Sequence, residues 1–317
     1  MTGQSSVAYF FPGQGAQAVG MGKAFYDRFD EAKEIYRTAK RRLGVDVAAL
    51  CFEGPAEALT RTETCQPALF ATSLAAFASL RRVAPASLSP VAAAGLSLGE
   101  LTALAAAGAF SLEDGFYLVQ ARAEAMAECA AKNRGAMLAV VGLPGETVTE
   151  ICRVSGASGA NYNAPDQVVL SGAVDSIERA EALAKEKGAK RAVKLDVAGA
   201  FHSPLMQPAA DIFKQALTKA EIRTPTFPVI SNVTGQPVLD PDEIRRLLVK
   251  QIVSPVRWDS SVRQMIQAGA AIFIEFPPAR VLTALLRRID GSVKGITLDE
   301  PKDFDKLGEL LAIRSSN

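Results

Sequence analysis

The feature that most limits the fold is a Gly-x-Ser-x-Gly pentapeptide at residues 95–99, which reads Gly-Leu-Ser-Leu-Gly. It lies between an apolar run at residues 91–94, predicted to be a strand, and an Ala/Leu-rich helix predicted to end near residue 107. The two glycines allow a tight turn that holds the hydroxyl of Ser97 above the end of a sheet. Free N–H groups at the start of the following helix can stabilise an oxyanion. The pentapeptide therefore predicts an α/β protein with a nucleophilic serine.

Apolar patterns along the rest of the chain predict an α/β body with a small insert. The strands predicted for the body lie at 7–11, 229–232 and 271–276, and its other helices at 67–83, 112–131, 242–251 and 280–288. Residues 133–198 instead alternate short strands (136–142, 167–171, 191–197) with helices (146–155, 176–187), a pattern typical of a split βαβ unit. At 317 residues the chain exceeds the size at which one core usually stops growing. We therefore expect a large domain formed by 1–132 and 199–317 and a small domain at 133–198.

His202 is the only histidine in the sequence. A serine hydroxyl is a poor nucleophile unless a neighbouring base accepts its proton, and imidazole does so near neutral pH. A single histidine also excludes a multi-histidine metal site. If Ser97 is a nucleophile, His202 is its candidate base. The alternative is that Ser97 is idle in a glycine-rich turn and His202 is a hydrogen-bonded structural residue.

A second glycine-rich loop, Pro-Gly-Gln-Gly at residues 12–15, follows the first predicted strand. Its glycines would let the backbone approach a ligand closely. The N–H of Gln14 could then be a second oxyanion donor. Taken alone, the loop predicts only a turn.

Composition limits the partners and the compartment. Hydrophobic residues make up 49% of the chain, charged residues 22%, and the net charge is +1, which favours neither a nucleic-acid nor a membrane partner. No apolar stretch is long enough to span a bilayer, and the N-terminal residues do not resemble a cleaved signal. The four cysteines lack paired spacing, which predicts reduced thiols in a cytoplasmic protein rather than disulfides or a metal site.

Five short segments together resemble the malonyl-CoA:acyl carrier protein transacylase family of fatty-acid synthesis. They occur in the family's order and span essentially the whole chain: PGQG at 12–15, GLSLGE at 95–100, QAR at 120–122, GAFHSPLM at 199–206 and QIVSPVRW at 251–258. The resemblance implies an α/β-hydrolase-like large domain with an inserted ferredoxin-like small domain.

The resemblance also implies roles for individual residues. Ser97 corresponds to the serine that becomes acylated, and His202 to its general base. Gln251 matches the residue whose backbone carbonyl orients that histidine, in place of the aspartate of a hydrolase triad. Gln14 and Leu98 match the positions whose backbone N–H groups form the oxyanion hole.

Substrate selection is implied for two further residues. Arg122 matches the arginine that binds the malonyl carboxylate, and a planar guanidinium suits that task because it can form two parallel hydrogen bonds. Phe201, next to the base, is expected to narrow the pocket against an α-methyl branch.

The chain departs from the family pattern twice. Leu96 replaces the usual histidine before the nucleophile, which changes the polarity of the pocket wall there. Residues 276–279, Phe-Pro-Pro-Ala, replace a glycine-proline-glycine turn and imply a stiffer one.

The expected substrates are malonyl-CoA and acyl carrier protein, with no cofactor beyond the coenzyme A thioester. Two enzymes remain as alternatives: a stand-alone polyketide-synthase acyltransferase and a serine (thio)esterase. The esterase would need an acid partner for His202, for which Asp196 is available. A non-catalytic subunit of a larger synthase is the third alternative, against which the presence of Ser97, His202 and Arg122 argues.

Overall fold

The computed structural model describes residues 6–84, 88–278 and 280–315. In this part of the chain the strands are β1 Val7–Phe11, β2 Ala92–Gly95, β3 Gly135–Val141, β4 Ser158–Ala164, β5 Gln167–Ala173, β6 Arg191–Lys194, β7 Val229–Ile230, β8 Pro237–Val238, β9 Ile272–Glu275 and β10 Lys294–Thr297.

The helices of the first half of the chain precede or flank the nucleophile. They are α1 Lys23–Arg28, α2 Asp30–Leu43, α3 Val47–Glu53, α4 Ala56–Thr60, α5 Thr62–Val83, α6 Leu98–Ala106 and α7 Leu112–Lys132. The later helices are α8 Gly145–Ser155, α9 Val174–Glu186, α10 Gln207–Leu217, α11 Pro241–Gln251, α12 Trp258–Gln267, α13 Val281–Ile289 and α14 Asp303–Ser315, with a 3₁₀ turn at Pro204–Met206 before α10.

The larger sheet has the strand order β10-β9-β1-β2-β7-β8. Its first five strands are parallel, and β8 is antiparallel to β7. All five residues of β1 are buried because apolar clusters cover both faces of the sheet. Val7, Tyr9 and Phe11 belong to one cluster, and Ala8 and Phe10 to the other. The carboxyl ends of β1 and β2 therefore open side by side at one edge of the sheet.

The smaller sheet is antiparallel, with the order β4-β5-β3-β6. One face packs against α8 and α9 in an apolar cluster of its own, which includes Leu138, Ile151 and Ile177. The other face contributes Met137 and Val169 to the main core. The smaller sheet therefore faces the larger body with an apolar surface.

Two backbone hydrogen bonds join the smaller sheet to the segment that follows α11. The N–H of Tyr162 donates to the carbonyl of Val256 over 2.9 Å, and the N–H of Val256 donates to the carbonyl of Ala160 over 2.8 Å. An ion pair between Arg288 and Asp166, with 2.8 Å between Nη2 and Oδ1, lies nearby at the surface. These contacts place β4 beside the segment that begins at Gln251.

Most of the predicted helices and strands are confirmed, and some of their ends differ. The mixed α/β class, with a separate antiparallel sheet, is confirmed. Helix α5 begins at Thr62 rather than at residue 67, so Pro67 lies inside it instead of at its start. The predicted strands 191–197 and 229–232 end earlier, at Lys194 and Ile230. Residues 1–5, 85–87, 316 and 317, which the predicted large domain includes, lie outside the described residues, as does Ala279 of the predicted stiff turn.

Strand β4 is not predicted by its sequence, Ser-Gly-Ala-Asn-Tyr-Asn-Ala, which is poor in residues that favour strands. It becomes a strand through its pairing with β5. The missed strand turns the predicted three-strand unit into a four-stranded sheet.

Close approach of the backbone requires glycine at Gly95 and Gly99. A Cβ added at Gly95 would lie 1.9 Å from the carbonyl of Gly99, and one added at Gly99 would lie 2.1 Å from the carbonyl oxygen of Phe11. Since these neighbours are backbone atoms, they cannot move aside cheaply. The two glycines therefore let α6 begin directly against β1 and β2.

We predict that Gly99→Ala lowers the free energy of unfolding by about 1–3 kcal/mol or more, because the added methyl group overlaps the backbone of Phe11. Gly145→Ala is the matched control: Gly145 is exposed at the start of α8, and a Cβ there meets no atom within 4 Å. It should be neutral or stabilising by about 0.4–1 kcal/mol. Urea denaturation measures both, and a Gly99→Ala protein as stable as wild type would contradict the packing described.

Candidate active site

Ser97 occupies a strained turn between β2 and α6. Its φ of 53° and ψ of −103° are unusual for a residue other than glycine. Asn232, fully buried just after β7, holds this turn from the neighbouring strand. The N–H of Ser97 donates to Asn232 Oδ1 over 2.8 Å, and Asn232 Nδ2 donates to the carbonyl of Gly95 over 2.8 Å. The side chain of Asn232 therefore clamps both sides of the turn.

His202 lies beside the serine, as the sequence predicted for a base. Its Nε2 is 2.8 Å from Ser97 Oγ, and its Nδ1 is 2.9 Å from the carbonyl oxygen of Gln251. A carbonyl can only accept, so Nδ1 carries the proton and Nε2 is left to accept one from the serine. Asp196 is exposed at the mouth of the cleft, and the orienting group is the Gln251 carbonyl instead.

The imidazole is held in its neutral, basic form. Burial lowers the pKa of His202 to about 4; the charge of Arg122 contributes, and backbone hydrogen bonds to Gln251 and Ser254 oppose the decrease. A histidine with this pKa is unprotonated at neutral pH and available as a proton acceptor.

Arg122 reaches the same serine from the middle of α7 and is 1% exposed. Its Nη2 donates to Ser97 Oγ and to Gln251 Oε1, each over 2.9 Å, and its Nη1 donates to Gln66 Oε1 over 2.7 Å. All these partners are neutral. Its Nε is buried and has no hydrogen-bond partner among the described residues. Burial lowers the pKa of Arg122 to about 10, opposed by the charge of Glu100, so the guanidinium remains positive near neutral pH.

The side chain of Gln251 lies between the buried carboxyl group of Glu100 and the guanidinium of Arg122. Gln251 Nε2 donates to Glu100 Oε2 over 2.6 Å and to the carbonyl of Ser97 over 3.0 Å. The N–H of Asn232 donates to the same Oε2 over 3.1 Å. Burial raises the pKa of Glu100 to about 7, and these hydrogen bonds and the charge of Arg122 oppose the rise.

The two loops predicted to supply oxyanion donors meet at the serine. Leu98 is the first residue of α6, so its N–H has no acceptor inside the helix. The loop containing Gln14 packs against the turn so closely that a Cβ on Gly13 would lie 2.3 Å from the carbonyl oxygen of Leu96. Both Gln14 and Leu98 line the cleft that contains Ser97.

The cleft has a volume of about 370 Å³ and lies between the two sheets. Leu96 and Phe201 line it near the serine, as expected from the sequence. Met137 and Val169 on the smaller sheet form an apolar wall, while Asn163 supplies a buried Oδ1 with no hydrogen-bond partner among the described residues. The cleft can accept a mostly apolar chain with a few polar groups.

Three residues of this network were not predicted: Gln66, Glu100 and Asn232. Asn232 stands at the end of a predicted strand, and parallel strands present their carboxyl ends at one sheet edge, so its position could have been inferred. Glu100 is an acid within an otherwise apolar helix start, directly after the pentapeptide. Gln66 lies just before Pro67, where the predicted helix begins, so the prediction places it outside that helix.

Within 6–84, 88–278 and 280–315, no cluster of histidine, cysteine, aspartate and glutamate side chains could hold a metal ion. In the same part of the chain no helix is both long and apolar enough to cross a membrane.

Comparison with known sequences matches residues 8–298 to the model of the acyl transferase domain. A relative from Bacillus subtilis (strain 168), the malonyl CoA-acyl carrier protein transacylase, is 39% identical over 318 residues, covering 99% of each chain.

Solved structures resemble the whole chain as well. An acyl carrier protein S-malonyltransferase from Vibrio cholerae superimposes with a TM-score of 0.92 at 38% identity, covering 96% of this chain and all of that one. A malonyl-transacylase in complex with its type II PKS acyl-carrier protein superimposes with a TM-score of 0.91 at 35% identity, covering 94% of this chain and 97% of that one. The chain therefore belongs to the acyl transferase domain family and, within it, to the malonyl-CoA:acyl carrier protein transacylases.

Proposed function

We propose that the protein transfers a malonyl group from malonyl-CoA to the phosphopantetheine thiol of acyl carrier protein through an ester on Ser97. The observation that carries the proposal is the buried guanidinium of Arg122, 2.9 Å from Ser97 Oγ and bonded to neutral partners. A carboxylate at the end of the acyl group would give this cation an anionic partner beside the nucleophile. The names of the relatives, and the complex of one malonyl-transacylase with its carrier protein, support the same substrates.

In the first half-reaction, Ser97 Oγ attacks the thioester carbon and His202 Nε2 takes the serine proton. The new C–O bond forms a tetrahedral intermediate, and its oxyanion lies between the N–H groups of Gln14 and Leu98. When the C–S bond breaks, His202 returns the proton to the sulfur of coenzyme A. Malonyl-Ser97 remains.

In the second half-reaction, the carrier thiol gives its proton to His202 Nε2 as its sulfur attacks the ester carbon. The C–S bond forms, the C–O bond to Ser97 breaks, and the serine oxygen recovers the proton from His202. Because the second thiol replaces the first, no cofactor is consumed and we propose that none is needed.

Arg122 orients the acyl group in both half-reactions. Two of its N–H groups would hold the malonyl carboxylate in a bidentate pair, which fixes the reacting carbon near Ser97. Phe201, 6% exposed in the cleft wall, would restrict branching next to that carbon.

We further propose that the larger body, 1–132 and 199–317, is α/β-hydrolase-like and that 133–198 is a ferredoxin-like domain. The order β3-α8-β4-β5-α9-β6 with its antiparallel sheet supports the second assignment. We propose a cytoplasmic enzyme that supplies malonyl-carrier protein for fatty-acid elongation.

One observation supports polyketide synthesis as the alternative pathway. The structural relative bound to a type II PKS acyl-carrier protein shares the fold at 35% identity, so a polyketide carrier is the alternative acceptor. Rates with fatty-acid and polyketide carrier proteins would separate the two. Release of free malonate in place of transfer would instead indicate a thioesterase.

We predict that Ser97→Ala folds but gains no malonyl mass on incubation with malonyl-CoA, because no other group takes the acyl chain. Ser171→Ala is the matched control, since Ser171 Oγ is buried in β5 without a hydrogen-bond partner among the described residues. Intact-mass spectrometry should show one malonyl group on wild type and on the control. Stable acylation of the Ser97→Ala protein would refute the assignment of the nucleophile.

For Arg122→Ala we expect malonyl transfer to fall by about 30-fold to several-thousand-fold, while acetyl transfer changes little. Losing one side of a buried charged pair costs about 2–5 kcal/mol, and an acetyl group has no carboxylate to lose. The measurement is kcat/KM with malonyl-CoA and acetyl-CoA. The control Arg179→Ala removes an arginine of α9 that donates to the carbonyl of Ser155 at the end of α8. It should leave the preference for malonyl over acetyl unchanged. Equal losses for both acyl groups would mean that Arg122 supports the fold.

The single histidine gives one imidazole signal, so NMR of histidine-labelled protein reads the pKa of His202 directly. We predict a midpoint near 4 rather than 6.5. The Arg122→Ala variant should have a higher midpoint because a neighbouring cation is gone, whereas the nearby Glu100 remains. Between pH 6.5 and 4 the unfolded chain binds a proton at His202 more readily than the folded protein does, so the free energy of unfolding decreases as the pH falls through this range. Circular dichroism must therefore confirm that the protein is folded at each pH. A wild-type midpoint at 6.5 or above would contradict the buried, neutral base.

A further inference from the structure

Glu100 is a buried acid that the proposed chemistry does not use. It lies in the first turn of α6, three residues after the nucleophile, and is 1% exposed. Its Oε2 accepts hydrogen bonds from the N–H of Asn232 and from Gln251 Nε2. Burying a carboxylate costs free energy unless it is hydrogen-bonded. Both donors to Glu100 belong to residues that also bond Ser97 or Arg122.

One of these donors leads to the nucleophile. The backbone of Asn232 is held by Glu100, and its side chain accepts the N–H of Ser97. The other donor leads to the acyl-binding cation, because the side chain of Gln251 bonds Glu100 through Nε2 and Arg122 through Oε1. The carboxyl group of Glu100 is thus two hydrogen bonds away from each.

The orientation of the Gln251 amide follows from the acceptors around it. On one side lie Glu100 Oε2, at 2.6 Å, and the carbonyl of Ser97, at 3.0 Å, which accept hydrogen bonds. The NH₂ group must face that side, and Oε1 therefore faces the guanidinium of Arg122. Without Glu100, a strong acceptor that fixes the amide would be lost.

The spacing between the two charges also matters. Glu100 offsets part of the cost of burying the Arg122 cation, since their charges interact. The amide of Gln251 nevertheless separates them, so no carboxylate among the described residues accepts a hydrogen bond from the guanidinium. The cation is both stabilised and left available for an anionic acyl group.

We propose that Glu100 is a positioning residue for acyl selection: its carboxylate orients the side-chain amide of Gln251, which in turn holds the Arg122 guanidinium at Ser97. The inference rests on the proposed function, because it concerns the preference for an acyl group that ends in a carboxylate. It assigns to the side chain of Gln251 a task separate from that of its backbone carbonyl.

The test compares variants that keep the volume at position 100 but differ in hydrogen bonding. Glu100→Gln retains a carbonyl oxygen that can accept from both Asn232 and Gln251, whereas Glu100→Met retains no acceptor of this kind. Glu275→Gln is a control for the loss of a buried acid outside this network. Glu275 is fully buried and accepts the N–H of Leu282 at Oε1 and the N–H of Thr283 at Oε2, each over 2.8 Å.

The readout is the ratio of kcat/KM for malonyl-CoA to that for acetyl-CoA. We expect Glu100→Met to lower this ratio by about tenfold or more, while Glu100→Gln and Glu275→Gln keep it within about threefold of wild type. A folded Glu100→Met protein that keeps the wild-type ratio, whether both rates are unchanged or both fall by the same factor, would overturn the proposal.

Gln251→Met provides a second test that does not depend on the folding of Glu100→Met. It removes the amide but keeps the backbone carbonyl that orients His202. If Glu100 acts through this amide, the ratio falls by a similar factor; a wild-type ratio would overturn the proposal. If the wild type forms malonyl-Ser97 but these variants keep the wild-type preference for malonyl over acetyl, the role of Glu100 is refuted and the proposed function stands. A wild type that is not malonylated at Ser97 would instead refute the function.

Discussion

The site depends on a positive charge that is kept in the interior among neutral groups. Burying a guanidinium costs free energy unless its N–H groups find acceptors, and Arg122 finds them in Gln66, Gln251 and the oxygen of Ser97. None of these neutralises the charge. Glu100, the acid whose charge offsets that of Arg122, is separated from the guanidinium by the side-chain amide of Gln251. This arrangement stabilises the cation and leaves it without a carboxylate partner among the described residues, as the proposed function requires.

Gln251 also holds the backbone around the nucleophile, together with Asn232. Ser97 adopts a positive φ, and the strain is offset by hydrogen bonds from two distant segments: the side chain of Asn232 and that of Gln251. Both segments lie at the carboxyl edge of the larger sheet, where the glycines of residues 95–99 let the helix start against the strands. Fold and chemistry therefore share one set of constraints, and a change at Asn232 or Gln251 affects both.

The sequence predicts the nucleophile from a local pattern and its partner from composition. The strand–turn–helix pattern around Ser97 is continuous in sequence, and a single histidine leaves only one candidate base. Arg122 has no such signal, because a lone arginine on a helix is usually exposed, and its role came only from resemblance. The position of Asn232 at a strand end follows from the rule for parallel strands, but its contacts, and those of Gln66 and Glu100, arise from packing between separate segments that no local pattern encodes. Strand β4 was missed for the same reason, since pairing with β5 rather than its own residues makes it a strand.

The group that orients His202 is a carbonyl, and the charge of Arg122 explains why this suits the reaction. A carboxylate at Nδ1 would raise the pKa of the imidazole and would add a second buried anion near the guanidinium. That anion would compete with the malonyl carboxylate for the same cation. The carbonyl of Gln251 fixes the tautomer without either effect, because it accepts the Nδ1 proton and has no net charge. A hydrolase acting on neutral esters has no anionic acyl group to hold and does not face this competition. In the proposed reaction, a neutral orienting group therefore leaves Arg122 available to pair with an acyl chain that ends in a carboxylate.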